Sequence, residues 1–114
     1  MDKQMTEVAN QLQNDLISTP QYKELEKAFS DLKEDKAAYQ LFKNFQQSQN
    51  SLQQKQAQGS RPTDQEIKSF QSMAQEMRNQ KSITTLMTKE RQVSDILDGL
   101  NKIITKPLLD LYQN

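Results

Sequence analysis

The feature that most constrains the fold is an apolar stripe at helical spacing that runs into a tight turn. Its apolar members are Tyr39, Phe42, Phe45 and Leu52, and Gln49 continues the same spacing of three and four residues. Such spacing places side chains on one face of an α-helix. Gly59 follows, and glycine tolerates the positive φ with which many helices end. We therefore predict a helix of about 24 residues, roughly 36 Å long, that stops near Gly59.

A second helix is predicted directly after this turn. The sequence Thr63-Asp64-Gln65-Glu66 is typical of a capping box. In this motif the threonine hydroxyl oxygen accepts a hydrogen bond from the backbone amide of Glu66, and the Glu66 carboxylate accepts one from the backbone amide of Thr63. The apolar residues that follow at helical spacing are Ile67, Phe70, Met73, Ala74 and Met77. Helices joined by so short a turn must lie nearly antiparallel, which predicts a long helical hairpin.

The flanking segments carry further stripes and helix-start signals. Three apolar stripes consist of Met5, Val8, Leu12 and Leu16; of Tyr22, Leu25, Phe29 and Leu32; and of Ile83, Leu86, Met87, Val93, Leu97, Leu100 and Ile104. Asp2, Thr19 before Pro20, and Asp35 are suited to cap the helices that follow them. We expect a break between Arg78 and Ser82, and we expect Pro107 to end or bend the last helix.

Together these elements predict an all-α fold: an elongated antiparallel helical bundle built on a long helical hairpin, with four to five helices in one domain over residues 1–114. Leu, Ile, Val and Phe make up only 24 of the 114 residues, and the net charge is zero. Periodic apolar residues without net charge favour folding over disorder. Because so slender a fold buries little apolar surface by itself, we predict a homo-oligomer, with a dimer as the first choice.

The composition leaves few routes to chemistry. Histidine and cysteine are absent, and the two glycines, Gly59 and Gly99, lie far apart. These absences remove the usual zinc ligands, the usual general base and the glycine-rich phosphate loop. We therefore predict a protein that is not an enzyme, with no catalytic residues, no metal ligands and no cofactor.

The location of the protein follows from similar absences. The start, Met1-Asp2-Lys3-Gln4, has no apolar run typical of a signal peptide, and no segment approaches the roughly 18 apolar residues of a membrane span. The lack of cysteine suits a reducing compartment. These features predict a cytoplasmic protein without membrane insertion.

Eighteen glutamines are the main compositional anomaly, and many lie between Gln40 and Gln58. They are interpreted first as a neutral, soluble helix surface. In the second interpretation, amides beside the aromatic stripe hydrogen-bond across an interface with another subunit or an unidentified protein partner. The candidate interface residues are Phe42, Phe45, Gln49, Leu52, Gln53 and Gln56.

An alternative function is weak RNA binding through a basic strip. The strip consists of Lys36, Lys43, Lys55 and Arg61, in a segment without acidic residues. Phosphate backbones attract such clusters. Four charges over about 28 residues are a sparse signal, so nucleic acid is not the favoured partner.

The chain resembles the YlbF/YmcA family, and within it the YheA-like branch. The resemblance is carried by Thr19-Pro20 with Tyr22-x-x-Leu25, Tyr39-x-x-Phe42-x-x-Phe45, Gln49-x-x-Leu52-Gln53-x-Lys55-Gln56, Gly59, Leu86-Met87 and Asn101-Lys102-Ile103-Ile104-x-x-Pro107-Leu108. It implies an all-helical, self-associating cytoplasmic protein of bacteria, without known enzymatic activity. Relatives act as adaptors of the membrane-tethered ribonuclease Y and influence mRNA processing, competence, biofilm formation and sporulation. Their cysteine-held iron–sulfur clusters do not carry over to this cysteine-free chain.

The prediction is therefore a non-enzymatic helical module for protein–protein interaction. It self-associates and, by resemblance, acts as a regulatory adaptor.

Overall fold

The computed structural model describes residues 2–113, and this part of the chain forms five α-helices and no strand. The helices are α1 (Lys3–Ile17), α2 (Pro20–Glu34), α3 (Lys36–Ala57), α4 (Asp64–Arg78) and α5 (Lys81–Gln113). The all-α prediction is confirmed.

Side-chain caps set the first two helix starts. Asp2 Oδ1 accepts the amides of Gln4 at 2.8 Å and Met5 at 3.1 Å, which satisfies donors that the first turn of α1 leaves open. The Thr19 hydroxyl oxygen accepts the amide of Tyr22 at 3.2 Å, and Pro20 occupies the first helical position of α2. Both helices therefore begin where the sequence predicts.

The junction between α2 and α3 is a single residue, Asp35. Its carboxylate accepts the amide of Ala38 at 3.3 Å and so caps α3. The Phe29 ring meets the Tyr39 ring edge-on across this junction, with centroids 6.1 Å apart. The cap predicted at Asp35 is confirmed, and α2 ends directly before it at Glu34.

The hairpin of α3 and α4 is built as predicted. Gly59 has a φ of 77°, and the amides of Gly59 and Ser60 donate to the carbonyls of Gln56 and Lys55 at 3.1 and 2.8 Å. This is the Schellman arrangement that ends a helix with a left-handed residue. Both bonds of the capping box are present, from the Glu66 amide to the Thr63 hydroxyl at 3.1 Å and from the Thr63 amide to Glu66 Oε1 at 3.0 Å.

The last helix does not end at Pro107, and the bend expected as the alternative at this residue stays a prediction. The expected break after Arg78 is confirmed, since α4 ends there and α5 begins at Lys81, but α5 does not end at Pro107 and continues to Gln113. Proline removes one backbone hydrogen bond and crowds the preceding turn. The residues after it are good helix formers, and Lys106 pairs with Asp110 at 2.7 Å across the proline. These local preferences keep the residues after Pro107 helical.

The described residues divide into two compact units. The hairpin unit is Ala28–Met87, and the second unit, here called the terminal unit, combines the described residues up to Lys27 with those from Thr88 onward. The buried apolar residues of the hairpin unit are Ala28, Leu32, Ala38, Met77, Ile83 and Leu86, whereas Val93 is the buried apolar residue described in the terminal unit. The single domain predicted over residues 1–114, whose two end residues lie outside the described part, stays a prediction.

Candidate functional site

The aromatic residues of the candidate interface are engaged within the hairpin. Phe45 stacks on Phe70 of α4, with ring centroids 4.7 Å apart and planes 24° from parallel. Phe42 and Leu52 are half-buried. The structure therefore uses Phe45 for packing between α3 and α4.

The three glutamines of the same candidate set lie in solvent. Gln49, Gln53 and Gln56 are all exposed on α3. Their amides are available to a partner, but a neutral soluble surface has the same appearance. The role of the six residues in an interface stays a prediction.

A shallow groove lies between α3 and α4 beside the turn. It has a volume of about 380 Å³, and its lining consists of Ser48, Ser51, Leu52, Thr63, Gln65, Glu66 and Ser69. Glu66 is the carboxylate of this lining, and it is already bonded to the capping-box amide and to Lys55. The groove therefore offers hydroxyl and amide groups but no free acid or base.

The electrostatics of this corner are dominated by Glu66. The ammonium group of Lys55 bonds to its carboxylate, and the amide and hydroxyl of Thr63 add to the stabilisation of the ionised form. These contacts lower the pKa of Glu66 to about 2. The carboxylate therefore stays ionised at neutral pH and holds the start of α4 beside the end of α3.

The same ion pair changes the basic strip. Lys55 is half-buried and forms an ion pair with Glu66. The Nζ atom of Lys43 lies over the Tyr39 ring, 4.7 Å from its centre. Lys36 and Arg61 are exposed at the two ends of the segment. The absence of acidic residues between Lys36 and Thr63 does not leave all four charges unpaired, because Glu66 approaches from the next helix.

Large apolar side chains remain exposed outside the hairpin, in α1 and in the second half of α5. They include Met5, Val8, Ile103, Ile104, Leu108, Leu109, Leu111 and Tyr112. The sequence signal for them is the pair of apolar stripes together with the cluster after Pro107. Periodicity identifies such faces but does not tell which of them the chain covers itself.

Two classes of site are not found within residues 2–113. No three histidine, cysteine, aspartate or glutamate side chains there are grouped as a metal site requires. None of the helices in this range combines the length and the hydropathy needed to cross a membrane.

The chain is similar to a family model and to several bacterial proteins. A family model described as "Control of competence regulator ComK, YlbF/YmcA" matches residues 5–109. A UPF0342 protein of Lacticaseibacillus casei (strain BL23) is 46% identical over 107 residues, which cover 94% of each chain. A UPF0342 protein of Latilactobacillus sakei is 47% identical over 105 residues, which cover 92% of each chain.

A solved structure shares the fold over nearly the whole length. It is a protein of unknown function (DUF964) from Bacillus stearothermophilus, with a TM-score of 0.86, 26% identity and 98% coverage of both chains. The family match covers most of the sequence, and the residues that carry the resemblance lie on helices and caps that the structure contains. The chain belongs to the YlbF/YmcA family.

Proposed function

We propose that the protein is a non-enzymatic helical interaction module that self-associates in the cytoplasm and serves as a regulatory adaptor. The observation that carries this proposal is the set of large apolar side chains left in solvent on α1 and the second half of α5. Contiguous exposed apolar surface marks sites of protein–protein contact. The family description, control of a competence regulator, supports a regulatory role.

The hairpin contributes rigidity to this module and offers little for catalysis. Its groove holds one carboxylate, and the pKa of that group is lowered by contacts that keep it ionised. A general acid or base is effective when its pKa lies near the working pH. Glu66 therefore has a structural role at the turn.

Self-association is tested by sedimentation equilibrium of the wild-type chain over a wide range of concentrations. We expect a reversible monomer–dimer equilibrium with the dimer dominant at micromolar concentration. A single species of 13.2 kDa at every concentration would remove self-association from the proposal.

The regulatory role is tested in a host strain that lacks the protein. We expect the amount of the competence regulator to change in the deletion strain and to return when the wild-type chain is supplied. Filter binding with RNA tests the alternative function. Salt-dependent retention that disappears when Lys43 and Arg61 are replaced by glutamine would favour RNA binding over the adaptor.

A further inference from the structure

One apolar face of α5 is covered in its first half and open in its second. Val93 is the last buried member of the stripe, and the following members come at steps of four, three, four, four and three residues: Leu97, Leu100, Ile104, Leu108 and Leu111. Val93 is 7% exposed, whereas Ile104 and Leu111 are both 67% exposed. The side chains Leu97, Ile104, Leu108 and Leu111 are called the tail stripe here.

The helix α1 has the same kind of gradient. Leu12 and Leu16 are half-buried, but Met5 and Val8 on the same face are both 63% exposed. Met5 and Val8 are called the α1 stripe. Both stripes belong to the terminal unit, and neither is covered by the residues that the structure describes.

The exposed area is large enough for a stable interface. The six stripe residues, with Ile103 and Tyr112 beside the tail stripe, offer on the order of 100 Å² each, or about 800 Å² in all. Each partner in a standard-size interface contributes about 800 Å².

Charge indicates which stripe meets which. The segment from Asp2 to Ile17 carries three acidic residues against one lysine, whereas the segment from Leu97 to Gln113, which contains the tail stripe, carries two lysines against two aspartates. The net negative charge of α1 disfavours pairing of two α1 helices, whereas the tail, with balanced charges, meets no such repulsion when it packs on α1. A single chain supplies both surfaces, so a second copy is complementary to the first.

We propose that the α1 stripe of each copy packs on the tail stripe of the other copy, in a dimer with two-fold symmetry. In such an interface the same pair of surfaces meets twice, and both stripes of both chains are covered. The proposal rests on the self-association proposed above and assigns it to the terminal unit rather than to Phe42–Gln56 of the hairpin.

The first experiment measures the dimer dissociation constant of three double variants. The tail variant is Ile104→Gln with Leu108→Gln, and the α1 variant is Met5→Gln with Val8→Gln. Each buried aliphatic side chain is worth about a factor of ten in binding, and a symmetric dimer loses four of them. We therefore expect each variant to raise the dissociation constant at least about 100-fold, with unchanged helical circular dichroism because the residues are exposed in a single copy.

The matched control is Gln49→Ala with Gln53→Ala, which changes two exposed residues on α3. We expect it to dimerise like the wild type. A wild-type dimer that survives in the tail and α1 variants, or that the control variant disrupts, would overturn the assignment while leaving self-association intact. A wild type that is monomeric throughout would refute self-association itself.

The second experiment identifies the pairing directly. Because the sequence has no cysteine, single-cysteine variants Val8→Cys and Leu108→Cys react with a short bismaleimide only at the introduced site. Mixing the two variants is expected to give a cross-linked heterodimer in much greater yield than either variant gives alone. Efficient cross-linking of Leu108→Cys to itself, without the mixed product, would show tail-to-tail pairing and contradict the proposal.

Discussion

Replacing Ile83 by alanine is the most direct test of where the core lies. Ile83 is fully buried near the start of α5, in the hairpin unit. The substitution removes three carbon atoms, which at about 0.8 kcal/mol each costs about 2.4 kcal/mol of transfer free energy. A cavity left in a packed interior adds about 1 kcal/mol, and the better helix propensity of alanine returns about 0.4 kcal/mol.

The net loss of unfolding free energy is therefore about 3 kcal/mol. For a domain near 100 residues, about 4–8 °C of melting temperature corresponds to each kcal/mol, so we expect a decrease of about 15 °C. Thermal unfolding is followed by circular dichroism at one fixed protein concentration, because the proposed dimerisation would make the melting temperature depend on concentration.

The matched control is Met87→Ala, one turn further along the same helix, where the side chain is 52% exposed. We expect it to cost less than about 1 kcal/mol, as surface substitutions do. Ile83→Val supplies a graded step of about 1 kcal/mol. If Ile83→Ala were no more destabilising than Met87→Ala, the start of α5 would not form part of the core, and the reasoning from burial would be refuted.

Three further predictions concern the helix ends. Glu66→Gln should weaken the loss of stability at low pH, because the pKa of Glu66 is lowered to about 2, so that its contribution is present above the unfolded value near 4.5 and is lost as the pH falls through about 2. The melting temperature is measured from pH 4.5 down to pH 2, with Gln65→Ala as control, and equal decreases in the two variants would contradict the prediction. Gly59→Ala should lower the free energy of unfolding in urea by about 1 kcal/mol, because the φ of 77° strains any residue with a Cβ. Gly99→Ala, inside α5, should raise it by a similar amount, and the same effect in both variants would contradict the left-handed turn at Gly59. Asp35→Ala should lower the free energy of unfolding by about 1 kcal/mol, because α3 loses its cap, whereas Asp35→Asn keeps an acceptor and should lower it much less. Equal losses in the two variants would show that the hydrogen bond at this cap is unimportant.

Helix ends could be predicted because their chemistry is local. The Thr63 capping box, the Asp35 cap and the glycine after α3 depend on residues within five positions of each other. Such interactions are visible in a sequence without knowledge of the fold. Pro107 does not end α5, which is one of the two effects predicted for it, because neighbours on both sides favour the helix.

The candidate site was less predictable because burial is not local. The stripe on α3 and the stripe at the end of α5 look alike in sequence, yet Phe45 stacks on Phe70 while Leu108 lies in solvent. Likewise, Lys55 has no acidic neighbour along its own helix but meets Glu66 eleven positions away. Periodicity identifies a face, and only the packing of helices determines what meets it.

The uneven distribution of buried residues connects this fold to its proposed function. Six of the seven buried apolar residues of the described part lie in the hairpin unit, and the terminal unit has Val93. Apolar residues that a single copy leaves exposed contribute to stability only when a partner covers them. Dimerisation and the stability of the terminal unit are then linked, because a ligand that binds the folded state stabilises it by mass action. A regulatory partner that competes for the same stripes would separate the two copies without any change in the hairpin. One surface would then give the proposed adaptor two states, a dimer and a single copy bound to its partner.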